Sequence, residues 1–214
     1  MRGICREETV LCGRTVTLYS MPADLLEDEE VFAGCLRRMP EGRREKVMRY
    51  RFEPDRRLSL AAGLLLEEGL SERGIDYAKA AIGTEDKGRP YLKDRDDVLF
   101  SLAHSGNRAL AAFSDARVGC DTELIKPERD LWKLADRFYS PAEALEVKGD
   151  PESFYRLWTL KESCLKAMGT GLSRELSSVS FEKDGGLYRC GECVLIYRKK
   201  GDYAEAVCVE ARAG

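Results

Sequence analysis

The spacing of hydrophobic and polar positions along this chain alternates between one typical of strands and one typical of helices. This alternation predicts a protein that mixes helices with strands. Short alternating or continuous apolar runs favour strands, and they occur at 16–19, 98–103, 108–113, 118–123, 179–182, 193–198 and 204–210. Apolar residues three or four positions apart favour amphipathic helices; they occur at 23–38, at 41–50, between Pro54 and Gly74, at 131–138 and at 152–168. The fold class expected from this order is α+β.

Capping and turn residues predict where some of these elements begin and end. Ser140, Pro141 and Glu143 predict a helix start, because serine caps the first turn, proline fits the first helical position and glutamate closes a capping box. The Gly-Thr-Gly segment at 169–171 predicts the end of the helix 152–168. The segment 104–107 predicts a hairpin turn, since its Gly and Asn favour turns.

The order of elements divides the chain into two similar parts, each running from a strand through helices to further strands. Each part has about 100 residues, a usual size for a small domain. We therefore predict two α+β halves, 1–116 and 117–214. With 43% hydrophobic residues, the 214-residue chain can build a substantial core.

Charge and hydropathy argue against two classes of function. The net charge of −3 argues against a general nucleic-acid-binding protein, because such proteins usually carry a basic surface that displaces counterions from phosphates. Residues 1–13 lack the apolar core of a secretory signal. The longest apolar run, 60–66, is far shorter than the roughly 20 residues that span a bilayer. We therefore expect a cytoplasmic protein without a membrane partner.

The eight cysteines are scattered, and without an export signal they are expected to be reduced thiols that behave as small apolar residues. Cys190 and Cys193 form the single C-x-x-C pair. With neither a second pair nor a nearby histidine, this pair is expected to be unable to complete a tetrahedral zinc site. A redox or metal protein built on these two thiols is an alternative that a lone motif supports weakly.

Asp121 and Glu123 place two carboxylates on one side of the strand 118–123, because side chains alternate between the two faces of a strand. At ~4 Å in a partly buried cleft the two charges would repel by about 4 kcal/mol, and a divalent cation removes that cost. Oxygen ligands favour magnesium or manganese over zinc. An isolated Asp-x-Glu is more often a solvated strand end, so the metal interpretation needs a third acid.

Glu162 is the candidate third acid, and Lys166 lies four residues after it on the helix 152–168. This spacing puts both side chains on one helix face, beside the apolar stripe that the pattern predicts to be buried. Spacing alone favours a surface ion pair worth ~0.3–0.5 kcal/mol over a catalytic pair. Both interpretations stay open at this level.

Three segments of the second half together form a specific motif set. They are Val-Gly-Cys-Asp-Thr-Glu at 118–123, Arg-Phe-Tyr-Ser-Pro-Ala-Glu at 137–143 and Trp-Thr-Leu-Lys-Glu-Ser-Cys-Leu-Lys-Ala-Met-Gly-Thr-Gly-Leu at 158–172. In this order and spacing, the set closely resembles the Sfp-type 4'-phosphopantetheinyl transferases of the holo-acyl-carrier-protein synthase superfamily. The resemblance extends from the helix that carries Arg43 through the last strand.

The resemblance implies a fold and an activity. The fold is a monomer of two similar α+β halves, related by a pseudo-twofold axis, with the active site in the cleft between them. Enzymes of this family transfer the 4'-phosphopantetheine arm of coenzyme A to a serine of an acyl or peptidyl carrier protein and release adenosine 3',5'-bisphosphate. The cofactor that the resemblance implies is Mg²⁺, with Mn²⁺ as an alternative, and coenzyme A is the substrate.

The resemblance also implies roles for individual residues. Asp121, Glu123 and Glu162 would hold the metal, and Glu162 would help to deprotonate the serine. Lys166 would be the second catalytic residue, stabilising charge on the phosphates. Lys161 would contact phosphate or lie over the edge of the core. The candidates for binding coenzyme A are Arg43, Lys46, Ser59, Arg89, His104, Ser105, Asp121, Lys161 and Lys166.

Several positions depart from the family pattern. Ala103 stands where a Ser-His-Ser turn has its first serine, which removes one hydroxyl contact to phosphate and leaves the backbone amide. Arg43 and Arg89 stand where the family has lysine; arginine keeps the charge and adds a forked donor. Ser59 stands where the family has threonine and keeps the hydroxyl.

A non-catalytic module of the same fold, which binds carrier proteins without turnover, is the alternative to the enzyme. The presence of Asp121, Glu123, Glu162 and Lys166 together speaks against this alternative. The two hypotheses differ in whether a carrier protein gains a phosphopantetheine adduct.

Overall fold

The computed structural model describes residues 3–126, 131–171 and 176–211, and over these ranges the chain alternates helical and extended segments. The helices are α1 (Glu29–Arg38), α2 (Glu41–Met48), α3 (Glu53–Ser71), α4 (Trp132–Phe138), α5 (Pro141–Glu146) and α6 (Pro151–Met168). The strands are β1 (Cys5–Leu11), β2 (Arg14–Pro22), β3 (Ile82–Thr84), β4 (Pro90–Leu92), β5 (Leu99–Ser105), β6 (Arg108–Ser114), β7 (Val118–Leu124), β8 (Glu182–Asp184), β9 (Leu187–Cys190), β10 (Cys193–Lys200) and β11 (Tyr203–Glu210). None of these helices is long and apolar enough to cross a membrane.

The strands form two main antiparallel sheets, one from each half of the chain. The first sheet has the order β1-β2-β6-β5, and the second has the order β7-β11-β10-β9-β8. Strands β3 and β4 form a separate two-stranded sheet. The predicted α+β class is confirmed by these sheets and by the helices that pack on them. The pseudo-twofold axis and the division at 116 and 117 stay predictions.

Each main sheet has its own covering helix, and the two sheets share a core. Helix α3 packs against β2, β5 and β6, while α6 packs against β7, β10 and β11. Between the sheets lies an apolar cluster with members from both halves, including Leu18, Leu110, Val118 and Val207. A hydrogen bond of 3.1 Å from the amide of Cys120 to the hydroxyl of Ser101 also joins β7 to β5. This shared core fixes the position of β5 relative to β7.

Gly119 allows α6 to lie directly on β7. A Cβ atom at this position would be 1.9 Å from the carbonyl oxygen of Ser163 and 2.6 Å from the amide nitrogen of Ala167. Any other residue would push α6 away, because both neighbouring atoms belong to the helix backbone. The close approach places the residues of α6 beside Asp121 of β7.

The predicted ends of two helices are confirmed. The hydroxyl of Ser140 accepts from the amide of Glu143 at 3.3 Å, and the carboxylate of Glu143 accepts from the amide of Ser140 at 2.9 Å. These two bonds form the predicted capping box of α5. Gly169 ends α6 with a left-handed φ of 71°, which glycine adopts without steric cost.

Three predicted elements are wrong in part. The helix predicted at 23–38 is a 3₁₀ turn, Ala23–Leu26, followed by α1, because Asp28 caps a new start by accepting from the amides of Glu30 and Val31. The strand predicted at 179–182 begins only at its last residue, since the Val179 carbonyl accepts from a lysine of α6 instead of pairing with a strand. The turn predicted at 104–107 is shorter, because β5 pairs with β6 through its last residue.

Candidate active site

A cleft of about 760 Å³ lies where α2, α3, β5 and the β3–β4 connection meet α6. Its volume lies within the usual range for sites that bind small molecules. Both halves of the chain contribute to the walls. The predicted site residues that line it are Arg43, Lys46, Ser59, Arg89, His104, Glu162 and Lys166.

The wall from the first half is basic. Arg43 and Lys46 lie on α2, and Arg89 lies at the turn between β3 and β4. Sequence reasoning missed two further cations that line the cleft, Arg49 and Lys87. The pKa of Lys46 lies below its usual value because the cleft desolvates its ammonium and because Arg43 and Arg49 repel its charge. Five cations on this wall of the cavity favour a ligand with several negative charges.

Two polar groups in this wall have unused hydrogen-bonding capacity. Ser59 is 2% exposed, and its hydroxyl has no hydrogen-bond partner among the described residues. The Nε of Arg89 likewise has no partner in the described part of the chain, although its Nη1 donates to the Ala167 carbonyl at 3.3 Å. Buried polar groups without partners are costly. A ligand that bonds to both would remove this cost.

The wall from the second half presents Glu162 and Lys166 to the cleft, whereas Asp121 and Glu123 are not among its lining residues. The Nζ of Lys166 donates to Oδ1 of Asp121 at 2.7 Å, and Asp121 is 6% exposed. Burial raises the pKa of Asp121 although the ammonium of Lys166 opposes the shift. The pKa of Glu162 is also raised, by burial first and then by the negative charges of Asp121 and Glu123. The three carboxylates are therefore close enough to interact.

The donor set fits a hard divalent cation. All three side chains offer oxygen, which suits Mg²⁺, and Oδ2 of Asp121 is buried without a hydrogen-bond partner in the described ranges. The mutual repulsion at Glu162 is a cost that a cation would remove. The three do not all reach metal-ligand spacing, since the only described group of His, Cys, Asp or Glu with ligand atoms within 4.8 Å of one another consists of three cysteines.

Comparison with known proteins identifies the family. The model of the 4'-phosphopantetheinyl transferase superfamily matches residues 117–208, and a model of the N-terminal part of 4'-phosphopantetheinyl transferases matches residues 27–115. The chain is 32% identical over 160 residues to the 4'-phosphopantetheinyl transferase Sfp of Bacillus subtilis strain 168, which covers 72% of this chain and 69% of that protein.

A second relative agrees with this result. The transferase HetI of Nostoc sp. is 31% identical over 174 residues, covering 77% of this chain and 73% of HetI. The chain belongs to the Sfp-type 4'-phosphopantetheinyl transferases. The family and the enzyme class predicted from the motifs are thus confirmed.

Two further matches cover a smaller share of the relative or of this transferase. Another 4'-phosphopantetheinyl transferase of Bacillus subtilis is 32% identical over 151 residues, covering 67% of this chain and 66% of that protein. This transferase therefore spans about two thirds to three quarters of the relatives compared. A structure of Helicobacter pylori holo-[acyl-carrier-protein] synthase with coenzyme A aligns with 44% of this chain and 99% of that chain, at a TM-score of 0.38 and 22% identity.

Lys161 does not reach the cleft of this transferase, so its predicted contact with coenzyme A is wrong. The residue is 0% exposed. Its Nζ donates to the carboxylate of Glu143 at 2.8 Å and to the carbonyls of Leu176 and Val179 at 2.9 and 2.5 Å. These partners use all three ammonium hydrogens. Five residues at ~100° each turn Lys161 about 140° away from Lys166 around the helix.

Ser105 bonds to two groups of β7. Its hydroxyl donates to Oε2 of Glu123 at 2.6 Å and accepts from the amide of Leu124 at 3.3 Å. The hydroxyl hydrogen is therefore used within the transferase, and the contact of Ser105 with coenzyme A stays a prediction. Ser105 instead fixes the orientation of a predicted metal ligand.

His104 and Ala103 lie on opposite faces of β5, because side chains alternate along a strand. His104 lines the cleft, and its pKa is lowered by desolvation and by the charges of Lys166 and Lys46. Ala103 is 5% exposed and packs in the cluster between the sheets. The side chain that replaces the family serine therefore contacts the core.

Proposed function

We propose that this protein transfers the 4'-phosphopantetheine arm of coenzyme A to a serine of an acyl or peptidyl carrier protein and releases adenosine 3',5'-bisphosphate. The observation that carries this proposal is one cleft with a basic wall from the first half and a carboxylate–lysine wall from the second. Coenzyme A needs cations along its phosphates, and the transfer needs a base beside the attacking hydroxyl.

The basic wall supplies the proposed binding groups. Arg43, Lys46 and Arg89 would neutralise phosphate groups of coenzyme A, and the hydroxyl of Ser59 would gain the partner that the described residues do not give it. His104 would donate to a phosphate from β5. A direct contact between Asp121 and coenzyme A stays a prediction.

Mg²⁺, or Mn²⁺ as the alternative, would be held by Asp121, Glu123 and Glu162. When bound, the metal neutralises charge on the pyrophosphate of the substrate. Glu162 accepts the proton of the serine hydroxyl as general base. The hydroxyl oxygen forms a bond to the β-phosphorus while the bond from that phosphorus to the leaving nucleotide oxygen breaks. Lys166 stabilises the negative charge that develops there.

The proposed active unit is a cytoplasmic monomer. One chain supplies both walls of the cleft, so the site needs no partner subunit to complete it. All eight cysteines lie in the described ranges and are free, which suits a reducing compartment.

Mass spectrometry of an apo-carrier protein incubated with coenzyme A and Mg²⁺ tests the proposal. We expect the carrier serine to gain one phosphopantetheine group. Glu162→Ala should lower the transfer rate by about 10²–10⁴-fold, the usual contribution of a general base, with an unchanged circular dichroism spectrum. Glu152→Ala is the matched control, since Glu152 lies on the same helix and pairs with Lys199 instead of lining the cleft. Full activity of Glu162→Ala would contradict the assigned chemistry, and carrier binding without an adduct would favour the non-catalytic module.

A further inference from the structure

Three cysteine side chains from three different elements meet where α6 packs on β10 and β11. They are Cys164 of α6, Cys193 at the start of β10 and Cys208 of β11. Their sulfur atoms all lie within 4.8 Å of one another. The three residues are 0%, 6% and 0% exposed, respectively. This thiol cluster is separate from the carboxylates of the cleft.

Strand register explains why the thiols converge. Cys193 pairs with Glu210 across the β10–β11 ladder, and Cys208 pairs with Leu195, so the two cysteines are diagonal neighbours on one sheet face. Helix α6 packs on β10 and β11, and this contact brings Cys164 onto the same two sulfurs. The expectation that the C-x-x-C pair cannot complete a zinc site stays a prediction, but two distant cysteines that the sequence did not place there reach Cys193.

The chemistry of the thiol cluster suits a soft cation. Its surroundings are apolar and include Leu160, Leu195 and Ala206. The candidate ligand atoms of the cluster are therefore its three sulfur atoms. Thiolates select soft cations such as Cu⁺ and Zn²⁺ over Mg²⁺. With metal–sulfur distances of about 2.3 Å, sulfur atoms around a tetrahedral ion lie about 3.8 Å apart. The observed separations therefore need only small side-chain movements.

Cys190 offers a fourth thiol and a route of entry. It pairs with Cys193 across the β9–β10 hairpin, so both side chains lie on the same face. Cys190 is half-buried and packs against the apolar core around the cluster. The turn residues Gly191 and Glu192 are exposed, and β9 lies next to the edge strand β8. The exposed turn of this hairpin is the point of entry that we propose for a cation.

We propose that Cys164, Cys193 and Cys208 bind one thiophilic cation, Cu⁺ or Zn²⁺. Binding forms a sulfur–metal bond at each cysteine and releases one thiol proton from each to solvent, with no change in oxidation state. Three thiolates satisfy Cu⁺, whereas Zn²⁺ takes four ligands and recruits Cys190. The ion would join α6 to β10 and β11, and so would hold the helix that carries Glu162 and Lys166.

Metal titration of the full-length, reduced protein tests this site, with the bound metal per chain measured after desalting. Zn²⁺ and Cu⁺ are the probes, and Mg²⁺ is the hard-cation control. We expect one Zn²⁺ or Cu⁺ per chain without competition from Mg²⁺. Cys193→Ser and Cys208→Ser should each weaken binding at least about tenfold, since even supporting groups of metal sites contribute that much. The matched controls are Cys5→Ser and Cys12→Ser at exposed sites and Cys35→Ser in the buried core of the first half; all three should bind as the unchanged chain does.

Cys190→Ser separates the two ions: it should weaken binding of Zn²⁺ about tenfold and leave binding of Cu⁺ unchanged. A measurement on the unchanged chain avoids any loss of folding in the variants, because Co²⁺ in place of Zn²⁺ gives a sulfur-to-metal absorption band. We expect this band to appear at one equivalent. Absence of the band together with absence of Zn²⁺ and Cu⁺ binding, or binding that Cys5→Ser and Cys12→Ser abolish, would overturn the proposal and leave the cluster as a core of thiols.

Discussion

Two faces of α6 carry lysines with the same charge and different surroundings. Lys161 is completely buried, and its ammonium donates to a carboxylate and two carbonyls. The Lys166 side chain is 31% exposed, pairs with Asp121 and lines the cleft. A lysine whose hydrogens are all used inside the protein holds elements together, whereas one that borders a cavity can act on a ligand. The shared motif does not distinguish these roles, but the partners do.

The electrostatic environments differ in the same way. Burial lowers the pKa of Lys161, although its pairing with Glu143 opposes the shift. Burial also acts to lower the pKa of Lys166, but Asp121, Cys120 and Glu162 together raise it above the usual value. The acidic surroundings of Lys166 come from the carboxylates that we propose for metal binding and catalysis. They keep this lysine charged when the cleft contains no ligand.

Removing the buried charge should have the largest effect on stability. Lys161→Met leaves the partly buried Glu143 without its cation and leaves two carbonyls without a donor. Breaking such a pair costs about 3–5 kcal/mol, and urea denaturation should show a fall of this size in the free energy of unfolding. The double variant Lys161→Met, Glu143→Gln should recover part of this loss, since it removes both charges and keeps an acceptor for the Ser140 amide in the capping box. A loss below about 1 kcal/mol, typical of an exposed pair, would contradict the structural role.

Removing the charge on the cleft face should affect the reaction more than the fold. Lys166→Met should lower the rate of phosphopantetheine transfer by about 10²–10³-fold, or about 2.7–4 kcal/mol, the usual effect of losing one transition-state donor. Its free energy of unfolding should fall less than that of Lys161→Met, because water reaches the partly exposed site. Lys199→Met is the control, as Lys199 pairs with Glu152 at the surface. Equal activity of both variants would remove Lys166 from the proposed mechanism.

Disrupting the contact between α6 and β7 at Gly119 should have an intermediate effect. Gly119→Ala puts a Cβ atom 1.9 Å from the Ser163 carbonyl, so α6 must move away from β7. Overpacking of this kind costs about 1–3 kcal/mol. Transfer activity should also fall, because Glu162 and Lys166 move away from Asp121. Gly201→Ala is the control for glycine replacement: its added Cβ meets no atom within 4 Å, so any loss there reports only its φ of 60°. Retained stability and activity in Gly119→Ala would contradict the close-packing argument.

Sequence predicted the features that depend on neighbouring residues. The capping box at Ser140, the end of α6 at Gly169 and the strand β7 each follow from residues only a few positions apart. The motifs also predicted seven residues that line one cleft. Arg49 could have been found as well, since it follows Lys46 by three positions and so continues its side of α2.

Sequence could not predict features that depend on contacts between distant segments. The burial of Lys161 depends on two carbonyls at Leu176 and Val179, which no local pattern places beside α6. The thiol cluster depends on the register of β10 with β11 and on the packing of α6 over both strands. The hydrogen bond from Ser105 to Glu123 depends on β5 lying next to β7.

The smallest expected effect is a proton taken up when coenzyme A binds at His104. The pKa of His104 lies below its usual 6.5, because desolvation, Lys166 and Lys46 disfavour its charged form more than Asp55 favours it. The imidazole is therefore neutral at pH 7 in the free protein. Phosphates would neutralise the two lysines and raise this pKa, so binding takes up protons and strengthens as the pH falls from about 8 to about 6. A shift of one pKa unit gives at most about tenfold in affinity. Calorimetry at pH 7 in buffers of different ionisation enthalpy should show this uptake, and His104→Asn should remove it. Proton release, or the same uptake in His104→Asn, would mean that another group couples binding to pH and that the two lysines do not meet the phosphates.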